Sequence, residues 1–129
     1  MAANTVPLFV DTPLGDAIKF STANTARDGT GTIADLVIGA ADGTRIDGAI
    51  VKAEVTTTAG MIRFYYDDTV DVCLIDELIV TAITVGAAVK AWSGVWSPAR
   101  EIILPSGHAI QVSTHNGEAF NAIPLGADF

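Results

Sequence analysis

Short apolar runs rich in β-branched residues recur along most of the chain, separated by Gly, Asp, Asn and Pro, and no window sustains the i, i+3, i+4, i+7 spacing of an amphipathic helix. This cadence predicts an all-β protein. From Gly48 the alternation is clean: Ala49, Val51, Ala53 and Val55 fall on one side of an extended segment and Lys52 and Glu54 on the other, with Ile50 breaking the pattern. In the next run Ile62, Phe64 and Tyr66 share one face and Arg63 and Tyr65 the opposite one. Asp67-Asp68-Thr69 then turns the chain, and Val70 to Ile75 returns as the second arm of a hairpin. Asp76-Glu77 interrupts the apolar stretch before Leu78-Ile79-Val80 resumes it, so a bulge, a bend or a switch between sheets stays open there. Further strands are predicted at 89–96, 101–104, 109–114 and 119–125, with weaker ones at 16–21 and 32–38.

The punctuation supports these boundaries. Pro105-Ser106-Gly107 and Asn116-Gly117 are turn sequences, the latter because both residues tolerate positive φ, and the Asp-Gly steps at 28, 42 and 47 also read as turns. Eight or nine short strands exceed what one open sheet carries in a domain this small, so two packed sheets or a barrel are favoured, and a single antiparallel β-sandwich, jelly-roll-like, fits best. Residues 1–15 hold Pro7 and Pro13 with little patterning and read as an extended N-terminal arm, ordered only by docking on a neighbour or another surface and offering Val6, Leu8 and Phe9 as contact residues. Residues 16–129 then form a single sandwich domain, without internal repeats.

Composition narrows the partners. The 129 residues are half hydrophobic, and a chain of this mass buries about two-thirds of its unfolded surface, enough for one core without a covalent staple. The single Cys73, within Val72-Cys73-Leu74-Ile75, reads as a core residue. Fifteen Asp and Glu against seven Lys and Arg leave a formal charge of −8, with the cations scattered singly, which argues against nucleic acid as a partner. The N-terminal residues lack the pattern of a secretory signal, and the longest uncharged stretch, Leu78 to Val89, is too short to cross a bilayer. Synthesis in a cytoplasm and no membrane anchor are expected.

Candidate chemistry is sparse. His108 and His115 are the only histidines, and neither stands near a Gly-x-Ser-x-Gly elbow; both read as turn residues, with the His115 ring bonding the turn backbone. The acidic turn from Asp67 to Asp71 lacks the spacing of a calcium loop and reads as a solvated hairpin tip. No phosphate-binding glycine loop occurs. Neither catalytic residues nor a cofactor or metal are expected. Trp92 and Trp96, four apart with Gly94 between them, face the same way on a strand; core packing, a protein interface and sugar stacking stay open for them, and Tyr65 is a further aromatic candidate for an exposed face.

The run Thr57-Thr58-Ala59-Gly60-Met61-Ile62-Arg63-Phe64, then Leu104-Pro105-Ser106-Gly107, then Ser113-Thr114-His115-Asn116-Gly117-Glu118-Ala119-Phe120 and the terminal Asp128-Phe129 together resemble a group of short proteins encoded in tailed-bacteriophage genomes, generally beside head genes. The likeness spans roughly residues 30 to 129. It implies a small virion β-sandwich that decorates or cements a capsid, located on the capsid surface, with the major capsid protein as partner and no catalytic residues. A symmetric homo-oligomer, with a trimer favoured, is the expected form. The alternative is a carbohydrate- or receptor-binding module of a phage tail, baseplate or head fibre, using Trp92, Trp96 and Tyr65.

Overall fold

Alternating buried and exposed positions organise the chain into antiparallel strands. The structure, a computed structural model, describes residues 9–129, and among these there are ten strands and no helix. They are β1 (Thr12–Pro13), β2 (Ile18–Phe20), β3 (Ala34–Ile38), β4 (Thr44–Ala53), β5 (Gly60–Asp67), β6 (Val72–Val80), β7 (Ser93–Trp96), β8 (Ile102–Leu104), β9 (Ala109–Thr114) and β10 (Phe120–Asp128). A six-stranded sheet runs β1-β10-β4-β7, with β2 also on β10 and β8 also on β4; a four-stranded sheet runs β3-β9-β5-β6.

The pairing is nested. β5 pairs with β6, β4 with β7 and β8, β3 with β9, and β1 and β2 with β10, as if one long hairpin bent at Asp67-Asp68-Thr69 had been folded over into two layers. This order is consistent with the jelly-roll-like expectation, and the architecture is an antiparallel β-sandwich.

Between the layers lie Ile46, Ala49, Val51, Phe120, Ala122 and Trp96 from the larger sheet and Ile62, Phe64, Ile110 and Val112 from the smaller, all essentially without exposure. The small residues of β4 and β10 leave depth for the indoles. Trp96 stacks on Phe64 with ring centroids 4.4 Å apart, and Trp92 meets Phe120 edge-on at 5.9 Å. Stacking adds to the burial of such rings, about 0.5–1.5 kcal/mol per pair.

The expected hairpin is present, and its tip is built from its own carboxylates: Asp67 Oδ1 accepts the Thr69 N–H, and Asp68 Oδ1 accepts those of Val70 and Asp71. The interruption at Asp76 is a bulge, since the β5–β6 register slips between Phe64 and Tyr65 and skips Ile75. Other expectations need correction. Asp47-Gly48 is not a turn but lies inside β4, because Gly48 at φ 153 lets the strand bend without leaving its sheet. Asn116 and Gly117 do not take positive φ; their turn is held by Thr114 Oγ1–H and the Glu118 N–H, both donating to Asn116 O. Val55 falls beyond β4 and is exposed, Val89 to Trp92 precede β7 rather than belong to it, and Cys73 is exposed because β6 ends its sheet. Residues 11–14 lie on the protein's own sandwich: Thr12 pairs with Asp128, and the Leu14 N–H donates to Gly126 O.

Candidate binding surface

The strands of the larger sheet turn one side chain in two away from the core, and on β10, β4 and β7 the outward set is unusually apolar. Ile123 pairs with Ile50, and Ile50 with Val95, so three aliphatic side chains form a row across three adjacent strands. They are 45%, 44% and 59% exposed. Ile50, which broke the alternation in the sequence, is the centre of that row. Leu125 extends it along β10, and Ile103 on β8 stands opposite Arg45 one end of the sheet away.

Charge on this face differs from the rest of the chain. Lys19, Asn121, Lys52 and Ser93 form the next row in register, and Arg45 lies on the other side of the apolar row. Asp47 on this face is held by Arg45 Nε at 3.0 Å. Lys19 meets Glu54, just past the end of β4, and this hydrogen bond is the leading reason the Glu54 carboxyl titrates below its ordinary value. Three of the seven Lys and Arg of the chain lie on this face, and two of them, Arg45 and Lys19, are paired there with Asp47 and Glu54.

The outer side of the smaller sheet is closed instead. Arg63 and Tyr65, predicted to face away from the core, do so and are nevertheless wholly buried, because residues 23–27 cross over them. Arg63 donates to Glu77 Oε2 (3.2 Å) and to Asn24 O (3.1 Å), and its third nitrogen lies 3.0 Å from His115 Nδ1. A guanidinium only donates, so His115 Nδ1 accepts and its ring carries the proton on Nε2. Arg27 Nε reaches the same Glu77 oxygen at 2.9 Å. Tyr65 Oη–H donates to Ala26 O. Asn24, which drew no notice in the sequence, organises the crossing: its Nδ2 donates to Thr30 O and Thr32 O, and its Oδ1 accepts the Ala26 N–H. An Asn followed closely by turn residues was the only local signal for it.

The residues singled out from sequence separate accordingly. Trp92 and Trp96 are 6% and 1% exposed and Tyr65 is 0% exposed, so these three are packing residues and form no outward platform. The Trp96 Nε1–H donates to Asp76 Oδ2 at 2.9 Å. Phe9 is 80% exposed; Val6 and Leu8 lie outside the described residues. The His115 ring bonds Arg63 rather than the turn backbone, and His108 Nδ1 is 2.9 Å from Tyr66 Oη. A hollow of about 330 Å³ beside His115 is lined by Arg27, Met61, Arg63 and Ile79 among others, with no Ser, Thr or Cys. A cleft of about 350 Å³ between β3 and the start of the chain presents the carboxylates Asp16, Asp35 and Asp128 and neither histidine. No group of three His, Cys, Asp or Glu among the described residues is placed to hold a metal ion, and no helix there is long and apolar enough to cross a membrane. Compared with protein families, curated proteins and solved structures, the chain shows no significant match.

Proposed function

We propose that this chain is a structural binding protein that docks the outer face of its larger sheet on a protein lattice, and that the lattice is a bacteriophage capsid, whose subunits it bridges and stabilises as a decoration protein. The observation that carries this reading is the exposed Ile123–Ile50–Val95 row, apolar and in register across three strands of a rigid sheet. An apolar centre rimmed by Lys52 and by the ion pairs Arg45–Asp47 and Lys19–Glu54 suits a partner surface that is apolar at its centre and polar at its edge. The phage setting rests on the resemblance of the motifs between Thr57 and Phe129, and the major capsid protein is the partner it implies. Each docked copy adds one modest interface, and many copies on a repeating shell sum them.

The competing sugar-binding reading drew on Trp92, Trp96 and Tyr65, whose burial takes the stacking platform away. Quantitative mass spectrometry of purified virions tests the proposal. Copies comparable to the capsid subunits are expected, and Ile50→Glu, at an exposed position, should lower capsid occupancy at least tenfold while leaving the melting temperature near the parent value. A handful of copies per virion would place the protein in a tail or fibre and sink the decoration reading.

A further inference from the structure

One carboxylate serves two guanidinium groups on the outer side of the smaller sheet. Glu77 Oε2 accepts from Arg27 Nε at 2.9 Å and from Arg63 Nε at 3.2 Å, so the cluster keeps a surplus positive charge in a chain whose formal charge is −8. The acids nearest in sequence are engaged elsewhere: Asp76 accepts the Trp96 indole N–H, Asp28 accepts from Thr30, and Glu118 accepts from Thr58. The Arg27 side chain is 56% exposed, and only its Nε is bonded among the described residues.

The hollow of about 330 Å³ beside His115 adjoins this cluster. Met61, Ile79 and Val80 give it apolar walls, Arg27 and His115 are its accessible polar residues, and no carboxylate lines it. Arg63 borders it as well but has no exposed side-chain surface, so its part is to fix the imidazole. With His115 Nδ1 accepting from Arg63, the ring carries its proton on Nε2, and that N–H has no partner among the described residues.

We propose that this hollow binds a small aliphatic carboxylate, its head on the unbonded guanidinium nitrogens of Arg27 and the His115 Nε2–H and its alkyl chain against Met61, Ile79 and Val80. A guanidinium fork matches the planar geometry of a carboxylate. The surplus of a single positive charge suits a monoanion rather than a dianionic phosphate, and the walls carry no side-chain hydroxyl with which to hold a sugar. A site with apolar walls and a few convergent polar groups is the usual form of a small-ligand pocket. It lies on the smaller sheet, away from the Ile123–Ile50–Val95 row, so this inference and the proposed capsid docking stand or fall separately.

Titration of the isotope-labelled protein with sodium butyrate, read by NMR at the amides of Gly60, Met61 and His115 and at the Arg27 Nε–H, tests it. These signals should shift and saturate with a Kd of about 1–10 mM, the range open to so small a ligand. Acetate, which leaves the apolar walls uncovered, should bind about fivefold more weakly, and butylammonium should not bind. Arg27→Gln, at an exposed position, should remain folded by circular dichroism and weaken butyrate binding about tenfold. Ala59→Glu sets a tethered carboxylate at the exposed rim of the hollow and should abolish it. Val70→Glu adds the same charge at the hairpin tip, where the side chain is 85% exposed, and should bind butyrate like the parent. Shifts that never saturate, acetate or inorganic phosphate binding as tightly as butyrate, or butyrate binding that either Arg27→Gln or Ala59→Glu leaves intact would each overturn the proposal.

Discussion

Arg63 is the residue whose environment departs furthest from its type: a fully buried guanidinium on the outer side of a sheet, bonded to one carboxylate, one carbonyl and one imidazole. Removing it strands those acceptors. Arg63→Met should cost about 3 kcal/mol in a urea unfolding series, the low end for breaking a buried pair, because Glu77 keeps Arg27 and is 28% exposed. The same cluster sets an acid limit. The Arg27 hydrogen bond above all, helped by the charges of Arg27 and Arg63, holds the Glu77 carboxyl below its ordinary value against the opposing effect of partial burial. A carboxyl with a depressed folded pKa contributes stability that is complete above its unfolded value and is lost as pH falls through the folded one. The parent should therefore lose stability below about pH 4.5, and Glu77→Gln, lower at neutral pH, should lose less over the same acid range. Parallel acid profiles for the two proteins would show that Glu77 is not the group responsible.

At the scale of elements, two glycines let long strands bend within the larger sheet. Gly48 and Gly126 both have φ 153, and a Cβ on either would stand 2.1 Å from Trp96 O or 2.0 Å from Arg45 O. Both obstacles are backbone of a paired strand and cannot swing aside. The β10–β4 register slips at Leu125/Gly126, so the bend and the slip coincide. Gly126→Ala should lower unfolding free energy by about 2–3 kcal/mol, the scale of a strained backbone site, measured by thermal or urea denaturation. By contrast Gly107→Ala, whose φ is also positive but whose Cβ would meet nothing within 4 Å, should cost less.

For the molecule as a whole, the nested pairing makes the sheet contacts outside the β5–β6 hairpin distant in sequence, from Thr12 with Asp128 inward to Lys52 with Ser93. Loops must close before such contacts form, so folding should be slow for the size of the chain, in the range of about milliseconds to seconds. Stopped-flow refolding followed by fluorescence reads this directly, since Trp92 and Trp96 both sit in the core and their emission should be blue-shifted in the folded state and shift red on unfolding. Refolding within microseconds would contradict the topology.

Much of this was determined by the sequence alone. Period-two alternation and Gly, Pro and Asn punctuation are local properties, so the all-β class, the β5–β6 hairpin and the strand at 109–114 could be read along the chain, whereas the interruption at Asp76 became a bulge only in the paired sheet. What only the tertiary structure decided is which faces end up dry. Arg63 and Tyr65 lie on the outward side of β5, yet Asn24 and its neighbours, some forty residues earlier, cross over and bury them. Trp92 and Trp96 had three local readings, and the small residues Ala49, Ala53 and Ala122, whose depth exists only once β4 and β10 pair, settled them into the core. Ile50 looked like a fault in one strand and became the middle of a surface because β10 and β7 place Ile123 and Val95 beside it. Alternation assigns a side chain to one of two sides, but burial depends on what covers each side, and covering segments come from far along the chain.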